Sequence, residues 1–118
     1  MTDITKDCLF CKIINGEVPS TEVYEDDNFI GILDVNPLSE GHTLIIPKKH
    51  FRNLLDLPAT LGNELLDAIK KVSLKLIEED KAEGVNVQSS NEPAAQQEIF
   101  HTHIHIIPRK KDDNVKLN

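Results

Sequence analysis

The strongest constraint on the fold is one long amphipathic stretch, residues 58–81, in a chain whose other apolar segments are short. Leu61, Leu65, Ile69, Val72, Leu76 and Ile77 recur at helical spacing, and charges fill the opposite side. Pro58 suits a first helical turn and Gly84 lies just beyond the end. A helix with one apolar stripe must bury it against another element. The flanking segments supply that element. Residues 21–25 and 29–34 read as strands joined by the turn formers Asp26-Asp27-Asn28. Residues 42–47 form a β-branched strand ended by Pro47. Residues 84–89 place Val85 and Val87 on one face, and residues 99–108 are rich in isoleucine. Residues 8–15 predict a short helix capped by Asp7 and stopped at Gly16. Residues 36–41 and 90–97 read as loops. The order predicts an α+β domain: a mainly antiparallel five-stranded sheet with one long and one short helix.

No repeat, linker or low-complexity tract interrupts the chain, so residues 1–118 are read as one domain. Its core spans about residues 7–109, and residues 110–118 form a short tail. A net charge of −7 argues against a nucleic-acid polymer as partner. Two basic clusters, Lys48-Lys49-His50 and Arg109-Lys110-Lys111, are either solvated surface or a local attraction for small anions. Apolar runs such as Leu44-Ile45-Ile46 fall far short of the ~20 residues that span a bilayer. Residues 1–7 carry neither a basic nor an apolar leader region, so a cytoplasmic location without membrane attachment is expected. Cys8 and Cys11 form a C-x-x-C pair. In a reducing compartment it is a metal half-site, a redox pair or two buried thiols.

Three of the five histidines fall in His101-Thr102-His103-Ile104-His105. On a strand they would share one face, with Phe100, Thr102, Ile104 and Ile106 on the face toward the helix. Three imidazoles are poor core material, because each has a donor and an acceptor to satisfy. They could also ligate zinc, although a straight row spaces neighbours at nearly 7 Å and would have to bend around one ion. The favoured reading is nucleophilic and acid–base chemistry. Neutral imidazole attacks phosphorus readily near pH 7, and flanking imidazoles can bind phosphate oxygens or protonate a leaving group.

Four blocks together resemble the histidine triad family of nucleotide hydrolases and transferases. They are Cys8-Leu9-Phe10-Cys11-Lys12-Ile13-Ile14, Ile32-Leu33-Asp34-Val35-Asn36-Pro37, residues 41–50, and the run from Gln97 to Arg109. The resemblance implies a homodimer whose two sheets join into one. It implies that His103 is the nucleophile and forms a nucleotidyl-imidazole, and that His105 binds the α-phosphate. His42 and His101 would support them. Asp34 would hold the ribose hydroxyls, and Phe10, Ile32 and Val35 would line the base pocket. Asn91, Gln97, Glu98 and Ile99 complete the implied nucleotide contacts. The implied reaction releases AMP, or another nucleoside monophosphate, from a phosphoramidate. A dinucleoside polyphosphate hydrolase and a purine-nucleotide or partner-binding module are the alternatives. The thirteen residues after His105 resemble the compact phosphoramidase branch. A subset of the family also shares Cys8, Cys11, His50 and His101, which implies a structural zinc. The loop at residues 90–98 departs from the family. It has no glycine, and Gln96 stands where a glycine normally precedes the glutamine, so Gln96 and Pro93 alter the phosphate cradle. Glu98 stands where the best-known phosphoramidases carry serine.

Overall fold

A computed structural model of the protein describes residues 7–117, so the N-terminal reading of residues 1–6 lies outside the described residues. Five strands form one sheet in the order β1-β2-β3-β5-β4, every neighbouring pair antiparallel. They are β1 (Glu22–Glu25), β2 (Phe29–Leu33), β3 (Thr43–Pro47), β4 (Gly84–Gln88) and β5 (Ile104–Arg109). This is the predicted α+β architecture. No helix among the described residues is long and apolar enough to cross a membrane.

The long helix α2 spans Gly62–Glu78 and is shorter than predicted at both ends. Pro58 is extended, at φ −60 and ψ 135, and the chain enters through a 3-10 turn over Ala59–Leu61. Beyond the helix it is Lys81, at φ 64, that turns left-handed, while Gly84 opens β4. Ala68, Val72 and Leu76 are buried with Phe29, Ile45, Ile104 and Ile106 of the sheet. Each valine, leucine, isoleucine or phenylalanine side chain, fully buried, contributes about 1.5–3 kcal/mol. Ile77, predicted on this stripe, is exposed together with Leu66 and Leu74.

The short helix α1 spans Leu9–Ile14. Its N-cap is Cys8, not Asp7: the Cys11 N–H donates to Cys8 Sγ at 3.3 Å. Gly16, at φ 77, follows as the predicted stop. Helix α1 covers the opposite face of the sheet, where Cys8, Phe10 and Cys11 pack with Ile30, Ile32, Leu44 and Ile46. Leu44 pairs with His105 across β3 and β5, so His105 projects to the face away from α2.

Candidate active site

The histidine run is not one strand. Strand β5 begins at Ile104, so His101 and His103 precede it. Phe100, predicted on the helix face, is 41% exposed and lies under the Arg52 guanidinium at 4.5 Å. Thr102 is pinned instead: its N–H and hydroxyl both donate to Phe51 O, at 2.7 and 3.0 Å. That kink separates the three imidazoles into different surroundings. His103 and His105 remain neighbours, with ring centroids 5.2 Å apart. His101 is fully buried and turned toward the cysteines.

Hydrogen-bond partners assign the tautomers, because a carbonyl only accepts and an amide N–H only donates. His103 Nδ1 lies 2.7 Å from His101 O, so Nδ1 carries the hydrogen and Nε2 keeps its lone pair. The Leu38 N–H donates to His42 Nδ1 at 3.1 Å, so His42 Nε2 carries the hydrogen. It donates to His105 Nδ1 at 2.9 Å, which leaves the His105 hydrogen on Nε2. Desolvation pushes His105 to about 4, with His103 and His42 adding to the effect. Desolvation also lowers His103 and His42. The pair His103–His105 therefore presents, at neutral pH, a bare nitrogen beside an N–H donor.

Asp34 Oδ2 lies 3.6 Å from His42 Nε2 and 3.9 Å from His105 Nδ1. Asp34, His42 and His105 are close enough to surround an ion. The tautomers argue otherwise, since His42 Nε2 carries a hydrogen where a metal needs a lone pair. Asp34 Oδ1 accepts from the Asn36 N–H at 2.9 Å, which fixes the carboxylate at the mouth of the loop.

Phe10 is buried edge-on to His103, with centroids 5.1 Å apart, and to His101 at 5.9 Å. Ile32 is buried in the same cluster, and Ile99 packs against it. Val35 is 87% exposed on the loop after Asp34. Glu98 is exposed. The Asn91 carboxamide accepts from the Leu54 N–H at 2.8 Å. Gln97 is buried and its side chain is committed to the loop itself. It accepts from the Glu92 N–H and Asn53 Nδ2, and it donates to Arg52 O and Ile99 O. Gln96 takes a left-handed conformation, φ 72 and ψ 26, without the glycine that usually supplies it. Arg52 and Asn53, which hold this loop, carried no motif in the sequence. A buried asparagine is recognisable only from its partners.

The second cluster is Cys8, Cys11, His50 and His101, whose four ligand atoms lie within 4.8 Å of one another. His101 Nδ1 is 3.2 Å from Cys8 Sγ and 3.5 Å from Cys11 Sγ, and His50 Nδ1 is 3.4 Å from Cys11 Sγ. A tetrahedral zinc with Zn–S of ~2.3 Å and Zn–N of ~2.0 Å spaces sulfur and nitrogen about 3.5 Å apart. The donor set therefore fits. His101 Nε2 donates to Pro47 O at 2.8 Å, which directs the Nδ1 lone pair at the sulfurs in the way metal-ligating histidines are oriented. Desolvation holds His101 down to about 4, so it is neutral as a ligand must be. Zinc bound there would supply a tie between α1 and the β3 and β5 approaches. Of the basic clusters, Lys48 pairs with Glu25 at 2.7 Å and Arg109 with Asp113 at 2.8 Å, as solvated surface does.

Comparison with known proteins places this geometry. The model of the HIT domain matches residues 15–112. Adenylylsulfatase HINT3 of Arabidopsis thaliana is 46% identical over 110 residues, covering 93% of this chain and 56% of that protein. Adenosine 5'-monophosphoramidase HNT1 of Candida albicans is 40% identical over 109 residues, covering 89% of this chain and 72% of that one. A zinc-bound histidine triad family protein from Mycobacterium smegmatis superposes with a TM-score of 0.90 at 36% identity, over 97% of this chain and 83% of its own. With its His101–His105 run, its five-stranded sheet and a family match over most of its length, the chain belongs to the histidine triad family.

Proposed function

We propose that the protein hydrolyses nucleoside 5'-phosphoramidates, releasing AMP or a related monophosphate through a covalent intermediate on His103. One observation carries this reading: His101 O takes the His103 Nδ1 hydrogen and leaves Nε2 with a lone pair beside the His105 Nε2–H. Nε2 attacks the α-phosphorus as the P–N bond to the leaving amine breaks, and the amine nitrogen takes a proton from solvent water. Water then adds to phosphorus and the Nε2–P bond breaks. His105 donates to the α-phosphate, and His42 fixes its tautomer. Asp34 receives the ribose hydroxyls, and Phe10, Ile32 and Val35 border the base. Asn91, Gln97, Glu98 and Ile99 shape the phosphate side. The phosphoramidase relative from Candida albicans supports the P–N bond as substrate. The adenylylsulfatase relative supports an adenylyl group with a different leaving group.

The same reading includes a structural zinc on Cys8, Cys11, His50 and His101, supported by the donor geometry and by the zinc-bound relative. It also includes a homodimer joined through β4 and a cytoplasmic setting.

The test is AMP release by the wild type and His103→Ala from adenosine phosphoramidate, a diadenosine polyphosphate and adenylyl sulfate. Release by the wild type from the phosphoramidate, abolished by the substitution, is expected. Equal release from both proteins removes His103 as nucleophile. AMP binding without release by either makes the protein a binding module.

A further inference from the structure

Glu92 has a backbone that glycine ordinarily occupies, φ 78 and ψ 155. It also precedes Pro93, and a residue before proline normally takes an extended conformation at negative φ. Such a conformation persists only where the surroundings over-determine it. They do so here with every polar group Glu92 has. Its carboxylate accepts from Arg52 Nε at 2.8 Å, Arg52 Nη2 at 3.0 Å and Asn53 Nδ2 at 2.6 Å. Its N–H donates to Gln97 Oε1 at 2.8 Å. Its carbonyl accepts from the Ala95 and Gln97 amides at 3.0 and 3.2 Å.

These bonds belong to a continuous seam. Residues 51–54 are stitched to residues 91–102 through Leu54–Asn91, Arg52–Glu92, Arg52–Gln97 and Phe51–Thr102. The seam ends at Thr102, which lies between His101, whose carbonyl orients the His103 ring, and His103 itself. A glycine at 92 would sit in the same conformation without strain but would have no carboxylate to hold Arg52 and Asn53. The strained residue is thus the one that supplies the charged link between the two segments.

We propose that Glu92 is a positioning residue: its carboxylate, held by Arg52 and Asn53, clamps the turn over residues 92–97 against residues 51–53, so that the loop meets a nucleotide phosphate already formed. The proposal rests on the reading of His103 as nucleophile for its catalytic meaning. It predicts that stability and substrate affinity respond differently to substitution, because glycine removes the strain and the clamp together.

The test compares Glu92→Gly, Glu92→Ala and Glu92→Gln with the wild type. In Glu92→Gly, hydrogen exchange of the Ala95 and Gln97 amides speeds up by roughly tenfold, as loss of a charge-assisted clamp implies. KM for adenosine phosphoramidate rises by about tenfold while kcat stays within about twofold. Glu92→Gly melts above Glu92→Ala, which keeps the strain and loses the clamp. Glu92→Gln, with an acceptor of the same length, restores part of the affinity. Wild-type exchange and wild-type KM in Glu92→Gly overturn the proposal. So does a fall in melting temperature with KM unchanged, which marks an ordinary surface ion pair. If the wild type releases no AMP, the reaction reading falls, and amide exchange with the AMP dissociation constant decides the clamp.

Discussion

His105 receives its hydrogen bond at Nδ1 from His42, which in turn is held by the Leu38 amide. An added proton on His105 Nδ1 would face the His42 N–H at 2.9 Å, so charging this imidazole breaks the pair. Burial and the two neighbouring rings hold His105 at about 4, against 6.5 for free histidine. Between those values the unfolded chain binds a proton that the native state refuses, so stability falls as pH falls through this window. The loss from His105 alone is at most about 3.5 kcal/mol, since each pKa unit is worth ~1.4 kcal/mol. Urea unfolding at about pH 7 and about pH 4.5 measures it. His105→Gln is expected to lose less stability on acidification than the wild type. Equal losses would show that the proton goes elsewhere.

Among the elements, α1 is the least self-sufficient, with six residues and a thiol as its cap. A helix this short has little intrinsic stability. Its anchorage is the packing of Phe10 with Ile32 and Leu44, and the approach of Cys8 and Cys11 to His50 and His101. Zinc there would tie α1 down and hold Phe10 against His103. Protein purified without a histidine tag is expected to carry about one equivalent of zinc, and chelation is expected to lower the melting temperature. Less than about a tenth of an equivalent, with no response to chelation, would remove the metal from the account. The element that sequence misjudged is β5. His101, His103 and His105 alternate with Phe100, Thr102, Ile104 and Ile106, which reads as one strand. Two hydrogen bonds from Thr102 to Phe51 O bend the chain before Ile104. That bond pair joins residues 51 apart in sequence, a separation no local pattern encodes.

For the whole molecule, the two sheet edges differ. Strand β1 has four residues, charged ends at Glu22 and Glu25 and a register shift at Glu22/Tyr24, all of which discourage further pairing. Strand β4 has no such protection, and Val87 is 50% exposed along it. On α2, Leu66, Leu74 and Ile77 are exposed as well. Joining through β4 would pair the open edge and give a ten-stranded sheet across two copies. If two copies join through β4, Val87→Lys shifts the protein from dimer to monomer in size-exclusion chromatography with light scattering. A wild-type monomer at tens of micromolar would exclude the interface.

By itself the sequence determined the α+β class, the order of elements, the core stripe of α2 and the identity of the histidines, cysteines and Asp34. Period and residue type are local properties, and they survive in one dimension. Tertiary structure decided what each imidazole does. His101 faces two thiols, His103 keeps a bare Nε2, and His105 offers an N–H, because Pro47 O, His101 O and the Leu38 amide each claim one ring nitrogen in the chain of contacts. It also decided that Glu92 and Gln96 carry the positive φ that glycine would have supplied. The reason is common to both: a ring's tautomer and a strained backbone are set by partners brought together in folding, not by neighbours in the chain.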